Sequence, residues 1–110
     1  MVSVFWFSKL KPGADRAAYE HWVQHTDYRL AQSIQSVSHY RVHRLVGPVE
    51  GEGSPPYDYI EVLQVSDLDE YRKAMAHHPA LRQIVAEIGQ FIEGVGGAWG
   101  TSIVPLGKEE

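Results

Sequence analysis

The nine residues Val2–Leu10, VSVFWFSKL, alternate as a strand does, yet both faces of that strand are apolar: Val4 and Trp6 point one way, Phe5 and Phe7 the other. Such a strand belongs in a sheet that is covered on both sides. Lys11-Pro12-Gly13 ends it, a segment with helical periodicity comes next, and a second alternating run extends from Val37 to Val46. The later half repeats the order, with a strand over Tyr57–Val65, a helical stretch from Ser66 to Gly94 and a closing strand from Val95 to Val104. The whole reads β-α-β-β-α-β, an α+β ferredoxin-like sandwich. Its two helical regions cover only one face of a four-stranded sheet. The other face calls for a second copy of the chain, so the pattern predicts a homodimer.

With 110 residues, 44% of them hydrophobic, the chain fits one domain spanning 1–110 with one core. Ten Lys and Arg spread along a chain of net charge −4 form no basic stripe, which argues against nucleic acid as a partner. The absence of cysteine excludes disulfides, thiolate metal sites and a Cys nucleophile. The first charge is Lys9, and the apolar start has neither the basic leader nor the length of a secretory signal. No later run approaches membrane-spanning length, so the expectation is a cytoplasmic protein with no membrane partner.

Asp15 is placed to cap the first helix, and Tyr19, Trp22, Val23, Thr26, Leu30 and Ile34 form its apolar stripe. His21 and His25 stand one turn apart, with His25 roughly 130° from the stripe centre at about 100° per residue. Their spacing suits a metal, but the glutamate of an HExxH motif and a third ligand are missing, so no metal is assigned. The second strand sets His39, Arg41 and His43 on one face and Tyr40 and Val42 on the other. In the third, Ile60 and Val62 suit the helices, which leaves Tyr57, Tyr59, Glu61 and Leu63 opposite. As antiparallel neighbours the two strands then gather His39, Arg41, His43, Tyr59 and Glu61 beside Trp6. That set is either a solvated Arg–Glu pairing or the wall of a concave site.

The loop GPVEGEGSPP between these strands is long for a hairpin, and is either a rim over a pocket or an inert insertion. Asp67 and Glu70 have capping-box spacing, and the second helical region breaks at His77-His78-Pro79, where the histidines serve the junction. Leu81, Ile84, Val85, Ile88 and Ile92 make its apolar stripe. Gly94, Gly96, Gly97 and Gly100 surround Trp99, where missing side chains allow close approach. Phosphate-binding, nucleophile-elbow and repeat signatures are absent from the sequence.

The segments FWFSKLKPG, YEHWVQHTDYRLAQSIQSVSHYRVHR and PYDYIEVLQVSDLDEY resemble the REDY-like, HapK-type proteins of the dimeric α/β-barrel superfamily, relatives of the EthD-like proteins. The resemblance covers nearly the whole chain. It implies a homodimer whose two sheets close into a barrel, with a ligand cavity, and a place in bacterial secondary metabolism. Some members of the family act as cofactor-independent cyclases. HWVQH resembles the HW-x-x-H of EthD-like helices, making His25 the match to a frequently functional histidine, although Thr26 stands where those sequences often carry a second one. Asp27 and the YDYIEV segment fit the REDY-like pattern.

Together these readings predict a cofactor-independent cyclase, or a related acid–base rearrangement enzyme, acting on an aromatic, indole-derived or polyketide-like intermediate. Glu61 and either His25 or His39 would exchange protons with it, and Tyr59 would hydrogen-bond a developing enolate. Trp6, Asp27, Arg41, His43 and Trp99 would bind the small aromatic substrate. No cofactor is expected. A non-catalytic binding or accessory protein, a haem-dependent relative and a cofactorless monooxygenase remain as alternatives.

Overall fold

A computed structural model describes residues 2–107. Strand β1 (Val2–Leu10) leads into α1 (Arg16–Trp22), a π-helical turn (Val23–Asp27) and α2 (Tyr28–Ala31), the last three forming one bent helix. Then come β2 (Val37–Arg44), β3 (Tyr59–Val65), α3 (Leu68–His77), α4 (Pro79–Ile88) and β4 (Ile92–Thr101). The four strands make an antiparallel sheet in the order β2-β3-β1-β4, the ferredoxin-like arrangement, with β1 in the interior as its two apolar faces require.

The caps read from the sequence are in place. Asp15 accepts from the backbone N–H groups of Ala17 and Ala18, and Asp67 from that of Glu70. His78 caps α4 by accepting from Ala80 N–H, ahead of Pro79 in the first turn. The fourth strand starts three residues earlier than its expected Val95, because α4 ends at Ile88 and the chain returns at once to β1. Lys9 then pairs with Glu93 and Leu10 with Ile92, so Ile92 enters the core from a strand and not from a helical stripe. A bulge at Val95 lets both Gly94 and Gly97 face the same side despite their odd spacing.

The face of β3 is the main correction to the sequence reading. Tyr59, Leu63 and Val65 are buried under the helices, with Glu61 between them, while Ile60 and Val62 look the other way. Ile60 and Val62 pair with Phe7 and Phe5, and these four stay outside the helix-covered core. The apolar pair of β3 therefore matches the second apolar face of β1, a constraint invisible from β3 alone. His39, Arg41 and His43 lie on β2, with Arg41 paired to Val62 and His43 to Ile60. They do not share a face with Tyr59 and Glu61, because Val42 is the β2 residue that pairs with Glu61. The helix-facing set is instead Val4, Trp6 and Ser8 from β1, Tyr40 and Val42 from β2, and the odd-numbered residues of β3.

Candidate active site

The bent first helix brings Asp27 to the sheet. A regular α-helix through Tyr19 and Val23 would keep Thr26 and Leu30 on the buried stripe and carry Asp27 off it. Here the Tyr28 N–H bonds back five residues to the Val23 carbonyl, so the π turn inserts one extra residue and rotates the remainder of the helix by about 100°. Asp27, Ala31 and Ile34 become the buried set, and Thr26 and Leu30 are displaced to partial exposure. The aspartate is 0% exposed.

Between helices and sheet lies a cavity of about 320 Å³, at the small end of the range for ligand pockets. Its wall is largely apolar, with Leu63, Met75, Leu81, Ile84 and Ile88 beside the rings of Trp6, Tyr40 and Tyr71. Val85 belongs to the same wall and is 65% exposed, so the cavity meets solvent beside α4. The Trp6 indole N–H donates to the Tyr71 hydroxyl at 3.1 Å, tying β1 to α3. The Trp6 ring lies directly over Gly97, where a Cβ would overlap it. The missing side chain there leaves room for the indole beside β4.

The carboxyls of this wall meet at one place. The Tyr40 hydroxyl oxygen lies 2.6 Å from Asp27 Oδ2 and 2.8 Å from Glu61 Oε1. A phenol has one hydrogen to donate, and two carboxylates would offer only acceptors. Both short contacts are satisfied when one carboxyl is protonated and donates to the phenol oxygen while Tyr40 donates to the other. The three residues thus hold one proton more than two free carboxylates would.

The electrostatics agree. Burial pushes the Glu61 carboxyl up to about 7, with a further rise from the Asp27 charge, against the hydrogen bond from Tyr40 that lowers it. Burial likewise raises Asp27 to about 6, again opposed by Tyr40. The Tyr40 phenol is held well above its ordinary value by burial and by both carboxyls, so it stays protonated and serves as a hydrogen-bonding bridge. Two acids so close together titrate as one unit near neutrality. One of them can take a proton as the other gives one.

Of the residues anticipated for this site, Glu61, Asp27 and Trp6 line the cavity. Tyr59 packs in the core but turns its hydroxyl away, donating to Glu20 Oε2 at 2.7 Å and accepting from Arg16 at 3.0 Å. Glu20 is also bound by Arg44, whose Nε donates at 2.7 Å. Burial and the Glu20 bond push the Tyr59 phenol up to about 12. His25 is exposed on the helix, stacked 3.9 Å from His21 with Nδ1 at 2.9 Å from the His21 carbonyl oxygen. His39 and His43 are exposed on β2, while Arg41 turns back to donate to the Tyr40 carbonyl and lies 5.8 Å from the Tyr28 ring. Trp99, on the edge strand β4 and 55% exposed, pairs with Val4 and lines a neighbouring groove that shares Trp6, Tyr71 and Met75 with the cavity. None of His25, His39, Arg41, His43 and Trp99 lines the cavity. The loop from Gly47 to Pro56 also lies off its wall. Among the described residues, no group of three or more His, Asp or Glu side chains is placed to hold a metal ion.

Tyr40, Tyr71 and Ser8 add further polar side chains to the wall, and the sequence reading does not single them out. The available signal was the parity of β2, which sets Tyr40 opposite to its histidines. That parity points to the site only because Asp27 faces the sheet.

The family model for the REDY-like protein HapK matches residues 2–103. No curated protein matches the chain. The structure of HapK from Hahella chejuensis superposes with a TM-score of 0.74 at 26% identity, over 100% of this chain and 97% of that one. SnoaB, a cofactor-independent oxygenase from Streptomyces nogalater, gives 0.69 at 15% identity over 97% of each chain. An EthD-like protein from Ralstonia eutropha gives 0.71 at 16% identity, over 94% of this chain and 92% of that one. The last two likenesses establish a shared fold and no more.

Proposed function

The chain belongs to the REDY-like HapK family, and from that premise we propose that it is a cofactor-independent acid–base enzyme which cyclises or rearranges an aromatic intermediate of secondary metabolism. The observation that carries this reading is the Tyr40 hydroxyl shared by two buried carboxyls in the wall of an otherwise apolar cavity. Burying two acids against each other is costly, and such arrangements are kept where chemistry needs an acid and a base together. Glu61, whose carboxyl is pushed up furthest, holds the proton and acts as the acid; Asp27 acts as the base. Asp27 removes a proton from the nucleophilic position of the substrate, and Glu61 delivers its own to the oxygen that receives the electrons. Tyr40 lets the pair re-equilibrate for the next turnover. The apolar wall holds the substrate folded for attack, which supplies the entropic part of the rate.

The protein works as a homodimer in this reading. The band of Phe5, Phe7, Ile60 and Val62 stays outside the core beneath the helices, and a second sheet would cover it. His39 and His43, on the exposed side of β2, then sit at the edge of that interface, away from the chemistry. Cytoplasmic residence fits such an enzyme, and among the described residues no helix is long and apolar enough to cross a membrane.

The deciding experiment is turnover by Glu61→Gln, which keeps the shape and removes the titrating proton. We expect a fall of about 10²-fold or more with ligand affinity little changed. Parental turnover would remove Glu61 from the mechanism. Unchanged ligand affinity together with no measurable turnover in the parent protein would favour a carrier of the intermediate.

A further inference from the structure

Two residues of the cavity wall carry a buried side-chain oxygen with no hydrogen-bond partner among the described residues: Asp27, 0% exposed, through Oδ1, and Ser8, 2% exposed, through Oγ. Buried polar groups without partners are rare, and each costs stability unless something meets it. The first is an acceptor beside the Tyr40 bridge, since Oδ2 of the same carboxyl already receives the Tyr40 bond. The charge of the wall is equally one-sided. Asp27 and Glu61 are its only charged residue types, and no Lys, Arg or His lines it. A carboxylate or phosphate buried here would stand beside acids with no cation to offset its desolvation.

We infer that the cavity takes an uncharged aromatic ligand that donates an N–H or O–H hydrogen bond to Asp27 Oδ1, and that it rejects anions of the same shape. The inference rests on the reading of this cavity as the active site and adds the polarity of the molecule that enters it. The N–H or O–H that meets Asp27 is then the group from which the base removes its proton. The substrate arrives as a phenol, enol or ring N–H compound without a free acid function.

The test varies the ligand and leaves the protein intact. Three probes share one bicyclic frame: 2-naphthol donates a hydrogen bond, 2-methoxynaphthalene does not, and 2-naphthoate is an anion at pH 7. Each is titrated into the full chain by NMR, with the Trp6 indole N–H as the reporter of the cavity. We expect 2-naphthol to bind and move that signal, 2-methoxynaphthalene to bind about tenfold more weakly because Oδ1 stays unpaired, and 2-naphthoate not to bind in the same range. In Asp27→Asn, the preference for 2-naphthol over its methyl ether should shrink several-fold. The inference is overturned if 2-naphthoate binds as well as 2-naphthol, if the methyl ether matches it, if none of the three binds, or if binding leaves the Trp6 signal unmoved. The probe order holding while Glu61→Gln keeps parental turnover would sink the acid–base reading alone. The order failing while Glu61→Gln is inactive would sink this inference alone.

Discussion

Glu61→Gln also makes a prediction about stability that needs no substrate. The Glu61 carboxyl rises from an ordinary 4.5 to about 7 in the folded protein, burial being the largest cause. A carboxyl whose folded value lies above its unfolded value binds more protons when folded, so it favours the folded state most at low pH. That contribution falls away as pH climbs from about 4.5 to about 7, and above that window the whole cost of burying the charge is present. At 1.36 kcal/mol per pH unit the difference amounts to about 3 kcal/mol, on the order of 10 °C in melting temperature for a domain of this size. Glutamine does not titrate, and its amide can still meet the Tyr40 hydroxyl. Asp27 is raised by burial in the parent and in the variant, so that part of its fall with pH cancels when the two are compared, and what remains is the titration of the coupled pair with and without Glu61. Thermal melts at one protein concentration, taken at pH 4.5, 6 and 8, should show the variant gaining on the parent by about 3 kcal/mol across the range. Two curves that run parallel from pH 4.5 to 8 would refute the claim that Glu61 is buried and protonated near neutrality.

Tyr40→Phe removes the bridge and leaves two buried carboxyls without their shared partner. It should cost about 1–3 kcal/mol at pH 8, seen in denaturant unfolding, and shift the pH–rate profile upward because the bond that lowers both carboxyls is gone. Gly97→Ala forces the Trp6 ring off β4; a loss of about 1–3 kcal/mol and weaker ligand binding are expected, whereas an unperturbed Trp6–Tyr71 pair in NMR would count against the packing described. Phe5→Asp places a charge in the apolar band between Val62 and Ala98, and light scattering should report the mass of a single 12.4 kDa chain where the parent reports two. A parent protein that is already monomeric at micromolar concentration would end the barrel reading.

Local chemistry in this chain was legible from the sequence alone. The double-faced apolar strand Val2–Leu10, the caps Asp15 and Asp67, and the β-α-β-β-α-β order are set by residues within a few positions of one another, and the fold obeys them. Glu61 and Trp6 could be nominated because a carboxyl and an indole in a strand of known parity must face one side or the other. Which side was a matter for the tertiary structure. Ile60 and Val62 satisfy either an inner or an outer apolar face equally well, and only pairing with Phe5 and Phe7 settles the choice. Asp27 depended on a single extra residue in a helical turn, a backbone hydrogen bond from Tyr28 to Val23 that no side-chain periodicity announces. Once that turn places Asp27 against the sheet, Tyr40 lies between it and Glu61, joining residues 13 and 21 positions apart through one hydroxyl. Periodicity and capping are written into the order of the residues because they are short-range; the meeting of Asp27, Tyr40 and Glu61 is long-range, and is set by which helix face the sheet selects.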